Sequence, residues 1–576
     1  MIKRGIVLVL FAVLFAFSGC SFTGAAESES PSSKADTTEG ERQVSIKSAS
    51  EMFTDRDKEI GYDEETSAHI TLSGDGAFSD SDAVQISGSR VTVTDEGTYI
   101  FSGALEDGMI VVNAEDTDQV QLVLDNVQIT SADSAAIYVM EADQVFLTTA
   151  SGSENTLANG GAYVAMDDNH IDAAIFSKSD LTLNGAGTLT VTAAAGHGIV
   201  SKDDLALTSG TYEITAASHG LSGKDSVRIA SGTYSITSGK DGIHAENGDD
   251  ASKGFLYVAG GDFKITSQGD GMSASSDQQI SDGTFAITTG EGSASVDMKT
   301  EAREFGPRGN FQADAATVEE EDSVSQKGMK ADGAVTITGG SFTADTADDS
   351  IHAGGDILIT GGEYELKSGD DAIHSDAAVA IQNGTFAIPY CYEGIEGLSV
   401  TVDDGIFDIT SQDDGFNAAG GTDGSGFGGG GPQPEQFSGN SDNFITIHGG
   451  EFRIVSGGDC IDSNGALTIN GGILQLTCNG NGNTALDCDG TYTNNGGDVT
   501  TNDGSENNPG QMGGGMEPPG GRDKGMGNPG GMNEQEGKEP PGGMDGQGGM
   551  EPPDGMDGQG GMEFPGGMDD QSGIEI

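Results

Sequence analysis

Three short apolar stretches alternate with glycine-bearing turns, again and again, along most of the chain. "HGIVSKDDLALTSGTYEIT" from His197 is followed by "HGLSGKDSVRIASGTYSIT" from His219, and "DGIHAENGDDASKGFLYVAGGDFKIT" from Asp241 keeps the plan with a short insertion. Each stretch has period-two character and is bounded by Gly-Gly, Ser-Gly or Asn-Gly, which predicts strands; no helix-period segment of useful length occurs. One point of every unit carries a small residue: Ala174, Gly198, Gly220, Gly242, Gly271 and Gly292, then Gly328, Ser350, Ala372, Gly394, Gly415, Cys460 and Ala485. From 328 to 394 the step is 22 each time. Three short strands per 22-residue coil predict an all-β fold, a parallel β-helix with inward Ile, Val, Leu and Phe stacked along its axis. At a coil spacing of about 4.8 Å, about a dozen coils would make a rod on the order of 60 Å long. Propeller blades need roughly 40 residues each, and the repeat does not supply them.

The rhythm sets the expected domains: an N-terminal β region or cap over residues 51–130 and the β-helix over 131–492. It is interrupted at 160–171, 247–254, 293–326 and 420–443, and insertions in a solenoid usually gather on its working face. "FQADAATVEEEDSV" within 293–326 also has the alternation of a degenerate coil. At the start, Lys3 and Arg4 precede an apolar run, Gly5 to Ala16, that is short for a membrane span and has the layout of an export signal. It ends "FSGC", similar to a lipobox with Cys20 as the lipidated residue, so residues 1–19 are expected to be removed and 20–50 to form a polar tether. The protein is then expected to be exported and held at the bacterial cell surface by an N-terminal lipid in the membrane. Residues 503–576, rich in Gly, Pro and Met, cannot bury a core and are expected to be a disordered tail.

Composition narrows the partners. Gly supplies 94 residues, Trp none, and the net charge is −68, from 93 acidic against 25 basic side chains. That balance argues against nucleic acid as a partner and favours cations. Cys391, Cys460, Cys478 and Cys488 have no metal-binding spacing; as bridges they would allow three connectivities, and as thiols they would be buried in the stack.

The acids fall in register. Two residues before each inward Ile stands a corner position occupied by Asp241, Asp270, Asp349, Asp371, Glu393, Asp414 and Asp459, with Asp348, Asp370 and Asp413 immediately before it. One residue after the Ile comes a second row, His244, His352, His374, Glu396, Asn417, Asp462 and Asp487, expected to point outward. Unit charges about 4.8 Å apart repel by roughly 0.9 kcal/mol in water and by about four times that at an effective dielectric of 20. Bound cations, raised carboxyl pKa values or side chains splayed into solvent would each relieve this. Ca²⁺, which takes six to eight hard oxygen ligands, suits the corner acids. Lys178, Lys202 and Lys224 form a further row, read as charge-paired surface or as a strip for uronate carboxylates.

The segments "MFTDRDKEIGYDEE" (52–65), "YIFSGALEDGMIVVNAEDTDQVQLVLDNVQI" (99–129), "AAIFSKSDLTLNGAGTLTVT" (173–192), "EGIEG" (393–397) and "TALDCDG" (484–490) resemble the bacterial cell-surface proteins called carbohydrate-binding domain-containing proteins. The resemblance spans roughly residues 50–490 and implies a right-handed parallel β-helix shaped like pectate lyases, bound Ca²⁺, and affinity for cellulose and acidic plant polysaccharides. Cys488 departs from the aromatic residue usual in the family. The expected function is non-catalytic polysaccharide binding by a monomer, with His352, His374, Glu396, Asn417, Tyr390 and Tyr392 as candidate ligand-binding residues. The alternatives are a Ca²⁺-dependent polysaccharide lyase with Lys327 or Lys330 as the base, and an adhesion protein without a sugar ligand.

Overall fold

The computed structural model describes residues 46–165, 169–296, 325–419 and 443–509. The expected signal, Cys20, nearly all of the tether, most of the two long insertions and the tail beyond 509 lie outside the described residues. Within them, 43 strands join one network, with a single short α-helix at Ala49–Met52. The protein is all-β.

The repeated alternation does what it predicts. In Thr233–Ser238, Tyr234, Ile236 and Ser238 are buried while Thr233, Ser235 and Thr237 are exposed. Each strand pairs in parallel with the equivalent strand of the next unit, so that Ile199, Leu221, Ile243, Met272, Met329, Ile351, Ile373, Ile395, Phe416 and Ile461 succeed one another as partners. Only two pairings are antiparallel among the described residues, Thr71↔Phe78 and Val84↔Val93, both at the N-terminal end. The N-terminal β region joins the same ladder: Ala68–Gly74 pairs with Gly97–Leu105, and that strand with Gln119–Ser131. The ladder also runs past residue 492, ending in Asp498–Thr501 against Ile473–Cys478.

Register stacks like on like inside. Tyr212, Tyr234, Phe263, Phe285, Phe342, Tyr364, Phe386, Phe407 and Phe452 form one interior column with centroids 4.6 to 5.2 Å apart and nearly parallel rings. Isolated aromatic pairs prefer offset or edge geometry; here the spacing of the rungs imposes the stack. The turn before this column needs glycine: Gly232 has φ +133°, and a Cβ there would stand 2.7 Å from the Tyr234 hydroxyl. The small-residue column has another cause. A Cβ on Gly242 would lie 2.6 Å from the Gly271 carbonyl oxygen, so the backbones of successive rungs meet there.

One expected rung is absent. Met272 and Met329 are direct partners, and Gly271 lies against Gly328, so the units on either side of 293–326 are adjacent. Gly292 instead precedes a 3-10 turn, Ser293–Ser295. Its spacing mimicked the repeat, but among the described residues no strand follows it in register.

A stretch without repeat character straps the strands. Phe53 is buried against Tyr257 with centroids 6.0 Å apart, and the Arg228 guanidinium donates to the Met52 carbonyl at 2.8 Å. Asp57, 3% exposed, accepts from Thr54, Thr182 and Gln144. Burial would raise its carboxyl pKa, but these hydrogen bonds outweigh burial and hold it below the usual range. The segment "MFTDRDKE" thus serves the fold.

Candidate functional site

The corner acids have a role that charge alone did not indicate. At most corners the backbone N–H just before the strand points to the corner side chain of the preceding rung. Asp270 donates to Asp241 Oδ1 at 2.9 Å, Lys327 to Asp270 Oδ1 at 2.8 Å, Asp371 to Asp349 Oδ1 at 3.0 Å, Glu393 to Asp371 Oδ1 at 3.1 Å and Asp459 to Asp414 Oδ1 at 2.6 Å. His219 and His197 occupy the same position one and two units before Asp241, and the Nδ1 atoms of His197 and His219 accept from the backbone N–H of His219 and Asp241 at 3.3 and 3.2 Å. At these rungs the corner side chain is an acceptor, carboxylate or neutral imidazole. An unmet buried amide costs about 1–3 kcal/mol, which explains the recurrence.

Lys327 is the exception that completes the row. It sits at the corner between Asp270 and Asp349 but cannot accept, and the Asp349 N–H turns to Asp348 Oδ1 at 2.9 Å. The buried Lys327 ammonium meets Asp348 Oδ1 at 3.0 Å and Asp349 Oδ2 at 2.6 Å. In the second row Lys330 stands between Ser273 and His352 as a register partner of each, 3.9 Å from Asp332.

The second row follows the expected order, His352, His374, Glu396, Asn417 and Asp462 being successive partners. It is not a surface row. His352 is 8% and His374 2% exposed, because each ring folds back on its own corner: His352 Nδ1 lies 3.0 Å from Asp349 Oδ2 and His374 Nδ1 2.9 Å from Asp371 Oδ2. His244 does the same with Asp241 at 2.7 Å. Glu396 approaches His374 Nδ1 at 3.0 Å. Burial alone would lower the His374 pKa, but Asp371 and Glu396 push it up to about 12.

Charge compensation divides the row in two. Burial opposes ionisation of Asp241 and Asp349, yet His219 and His244 around the former, and Lys327 and His352 around the latter, hold both carboxyls far below the usual range. Further on, burial and neighbouring acids work together. Glu393 is raised well above its ordinary value by burial, Glu396, Asp371 and Asp414, and Asp414 by burial, Asp413, Asp462 and Asp459. Asp459 and Asp462 are both pushed up to about 7 by burial and surrounding carboxylates. Protein cations stand beside Asp241 and Asp349, whereas among the described residues no Lys, Arg or His forms an ion pair with Asp414, Asp459 or Asp462.

That second part has the composition of a hard-cation site. Asp459, Asp462 and Asp487 bring oxygens within 4.8 Å of one another, with no nitrogen ligand in the group. Asn417, the register partner of Asp462, gives its amide N–H to Glu393 at 2.9 Å, while its buried Oδ1 has no hydrogen-bond partner. An orphaned amide oxygen beside three carboxylates fits a ligand set for Ca²⁺. The groups Asp348–Asp349–Asp370 and Asp349–His352–His374 are equally close but already hold the Lys327 ammonium or imidazole nitrogen.

Of the other expected residues, Tyr392 adjoins the Glu393 corner, half-buried, its N–H donating to the Asp370 carbonyl at 2.8 Å. Tyr390 pairs with Lys367 beyond a β-bulge. Asp370 and Asp413 precede their corners as expected. The four cysteines are free, Cys391, Cys460 and Cys478 buried and Cys488 partly so. Sequence reasoning missed His197, His219 and Lys327 as corner members, although all three stand at the position two before an inward residue.

Parallel rungs joined along a buried polar corner define a class of all-β repeat protein. The sequence profile of the carbohydrate-binding domain-containing protein family matches residues 87–372 and 370–511, and the chain belongs to that family. A curated relative from Acetivibrio thermocellus, itself a carbohydrate-binding domain-containing protein, is 36% identical over 155 residues, 26% of this chain and 54% of the relative. The chain thus spans about half the length of that relative. A solved polysaccharide lyase-like protein from C. thermocellum, a gadolinium derivative, is 35% identical, with 39% of this chain and 92% of that one covered and a TM-score of 0.38.

Proposed function

We propose that this is a non-catalytic, exported protein, lipid-anchored through Cys20 at the cell surface, that holds polysaccharide on a right-handed parallel β-helix. The observation that carries this reading is membership of the carbohydrate-binding family across the ladder. The parallel partnering of three strands per unit supports the β-helix. Ca²⁺ is assigned to Asp459, Asp462, Asp487 and the Asn417 amide oxygen, where its charge would neutralise crowded acids and lock the last rungs together. The chemistry such an ion supplies there is charge compensation.

The lyase reading finds less support. A general base must give up its proton near neutral pH, and the Lys327 ammonium is buried between two carboxylates that favour its charged form. Lys330 lies in the row with His352 and Ser273, its ammonium close to the Asp332 and Asp270 carboxyls, which favour its charged form. Co-sedimentation of the full chain with insoluble cellulose and retardation in gels containing polygalacturonate test the proposal, alongside absorbance of unsaturated products. Binding without product is expected. Product formation abolished by Lys330→Ala would establish the lyase, and absence of any binding would remove the carbohydrate reading.

A further inference from the structure

In a stack of repeats each unit touches only its neighbours, so rungs open one at a time from the ends unless a longer element joins them. The strap from Lys47 to Tyr62 is such an element. It crosses the outer face of the second strand of successive units, Gln144–Thr149, Asp180–Gly185, Asp204–Leu207, Ser226–Ile229, Phe255–Val258 and Gln278–Ile280, each the parallel partner of the next.

The strap runs against the order of the rungs. Tyr62 packs on Ile100, Val123 and Ala150. The Asp57 carboxylate accepts from Gln144 Nε2 at 3.0 Å and Thr182 Oγ1 at 2.9 Å, and its backbone carbonyl from Asn184 Nδ2 at 3.1 Å and Thr208 Oγ1 at 2.7 Å. Phe53 then lies on Tyr257, and the Met52 carbonyl takes the Arg228 guanidinium. At the far end the Gln279 amide and the Lys47 backbone exchange two hydrogen bonds, each 2.8 Å, as two peptide groups would.

Two properties make this more than loop packing. All of these hydrogen bonds are made by ladder side chains, so the strap adds to the backbone pairing of the rungs without replacing any of it. Its middle is also buried, Asp57 at 3% and Phe53 at 5% exposure, and Asp57 alone bridges residues on or beside three successive strands. Opening one rung beneath it therefore disturbs contacts that its neighbours share.

We propose that the strap is a clasp that makes these rungs open and close as one body. The same units carry the corner from His197 through His219 and Asp241 to Asp270, whose amide bonds need rung-to-rung register, so the clasp holds that part of the corner row together. Among the described residues the strap makes no hydrogen bond beyond the strand of Gln279, and the body ends there.

The test is hydrogen exchange of the full chain read by mass spectrometry, for wild type and Phe53→Ala. Phe53 touches the rung of Tyr257, and Gln144–Thr149 lies at the other end of the row, separated from it by the strands that begin at Asp180, Asp204 and Ser226. In the variant the amides of Gln144–Thr149 should exchange about tenfold faster, while those of Ile473–Cys478 keep their wild-type rates. Acceleration confined to Phe255–Val258 and its two partner strands overturns the clasp, because the strap contact would then act only locally. Equal acceleration at Ile473–Cys478 overturns it too, because the loss would be one of global stability. Should Phe53→Ala fail to fold, Phe53→Leu is read by the same criteria.

Discussion

At the scale of single residues, a corner acid is first an acceptor for the next rung's amide and only then a charge. Asp270 separates the two roles. It accepts from Ser325 at 2.7 Å and from the Lys327 N–H, and burial with the nearby Asp241 raises its pKa to about 6. A raised folded pKa means that the native state binds more protons, so this group's contribution falls as pH rises from about 4 through 6. Asp270→Asn keeps an accepting oxygen without ionising. Its unfolding free energy relative to wild type should therefore improve between pH 4 and pH 7, whereas Asp270→Ala should be less stable by about 1–3 kcal/mol. An Asn variant whose difference from wild type does not vary with pH would contradict the buried-acid account. Lys327→Met strands Asp348 and Asp349 without their ammonium and should cost roughly 3–5 kcal/mol by denaturant unfolding; a neutral result would show the clamp to be dispensable. The rows of acids and histidines were legible in the sequence because parallel register copies spacing into adjacency. The amide-accepting role was not, since it depends on a backbone N–H that no side-chain pattern marks, and Lys327 was read as a candidate base and not as a corner member because it breaks the run of acids.

The strands and turns were the most legible part of the chain. Alternations such as "TYSIT" and "DFKIT" place every second side chain inside, and the Gly turns recur because the following aromatic ring occupies the space of a Cβ. Small residues before each first strand answer to backbone contact between rungs, which predicts that Gly242→Ala, with its Cβ 2.4 Å from Ile265 Cγ2 and 2.6 Å from the Gly271 oxygen, destabilises by about 1–3 kcal/mol. Thermal or denaturant unfolding checks this; an unchanged stability would mean that the rungs can separate freely at this edge. Two elements resisted sequence reading. Gly292 kept the spacing of the repeat without its strand, and the segment around Asp57 carries no period because it crosses the rungs, making hydrogen bonds to residues more than 80 positions away.

Across the whole ladder, stacking identical units would accumulate like charge on every rung, and the chain answers this differently along its length. His244 stands beside Asp241 and Lys327 beside Asp348 and Asp349, while Asp270 between them keeps a raised pKa. From Glu393 to Asp487 no such side chain intervenes among the described residues, and burial together with mutual repulsion raises the carboxyl pKa values. The sequence disclosed the excess of acid but not which part of it remained uncompensated, because the histidines' partners emerge only when each ring folds back on its own corner. The hard cation proposed at Asp459, Asp462 and Asp487 would relieve that crowding and would join the rungs at the end of the ladder. The most direct measurement is the unfolding temperature of the chelator-stripped full chain at pH 8, titrated with Ca²⁺, for wild type and for Asp462→Asn/Asp487→Asn. A saturable rise of several degrees in wild type and none in the double variant is predicted; a wild-type midpoint indifferent to Ca²⁺ contradicts the assignment.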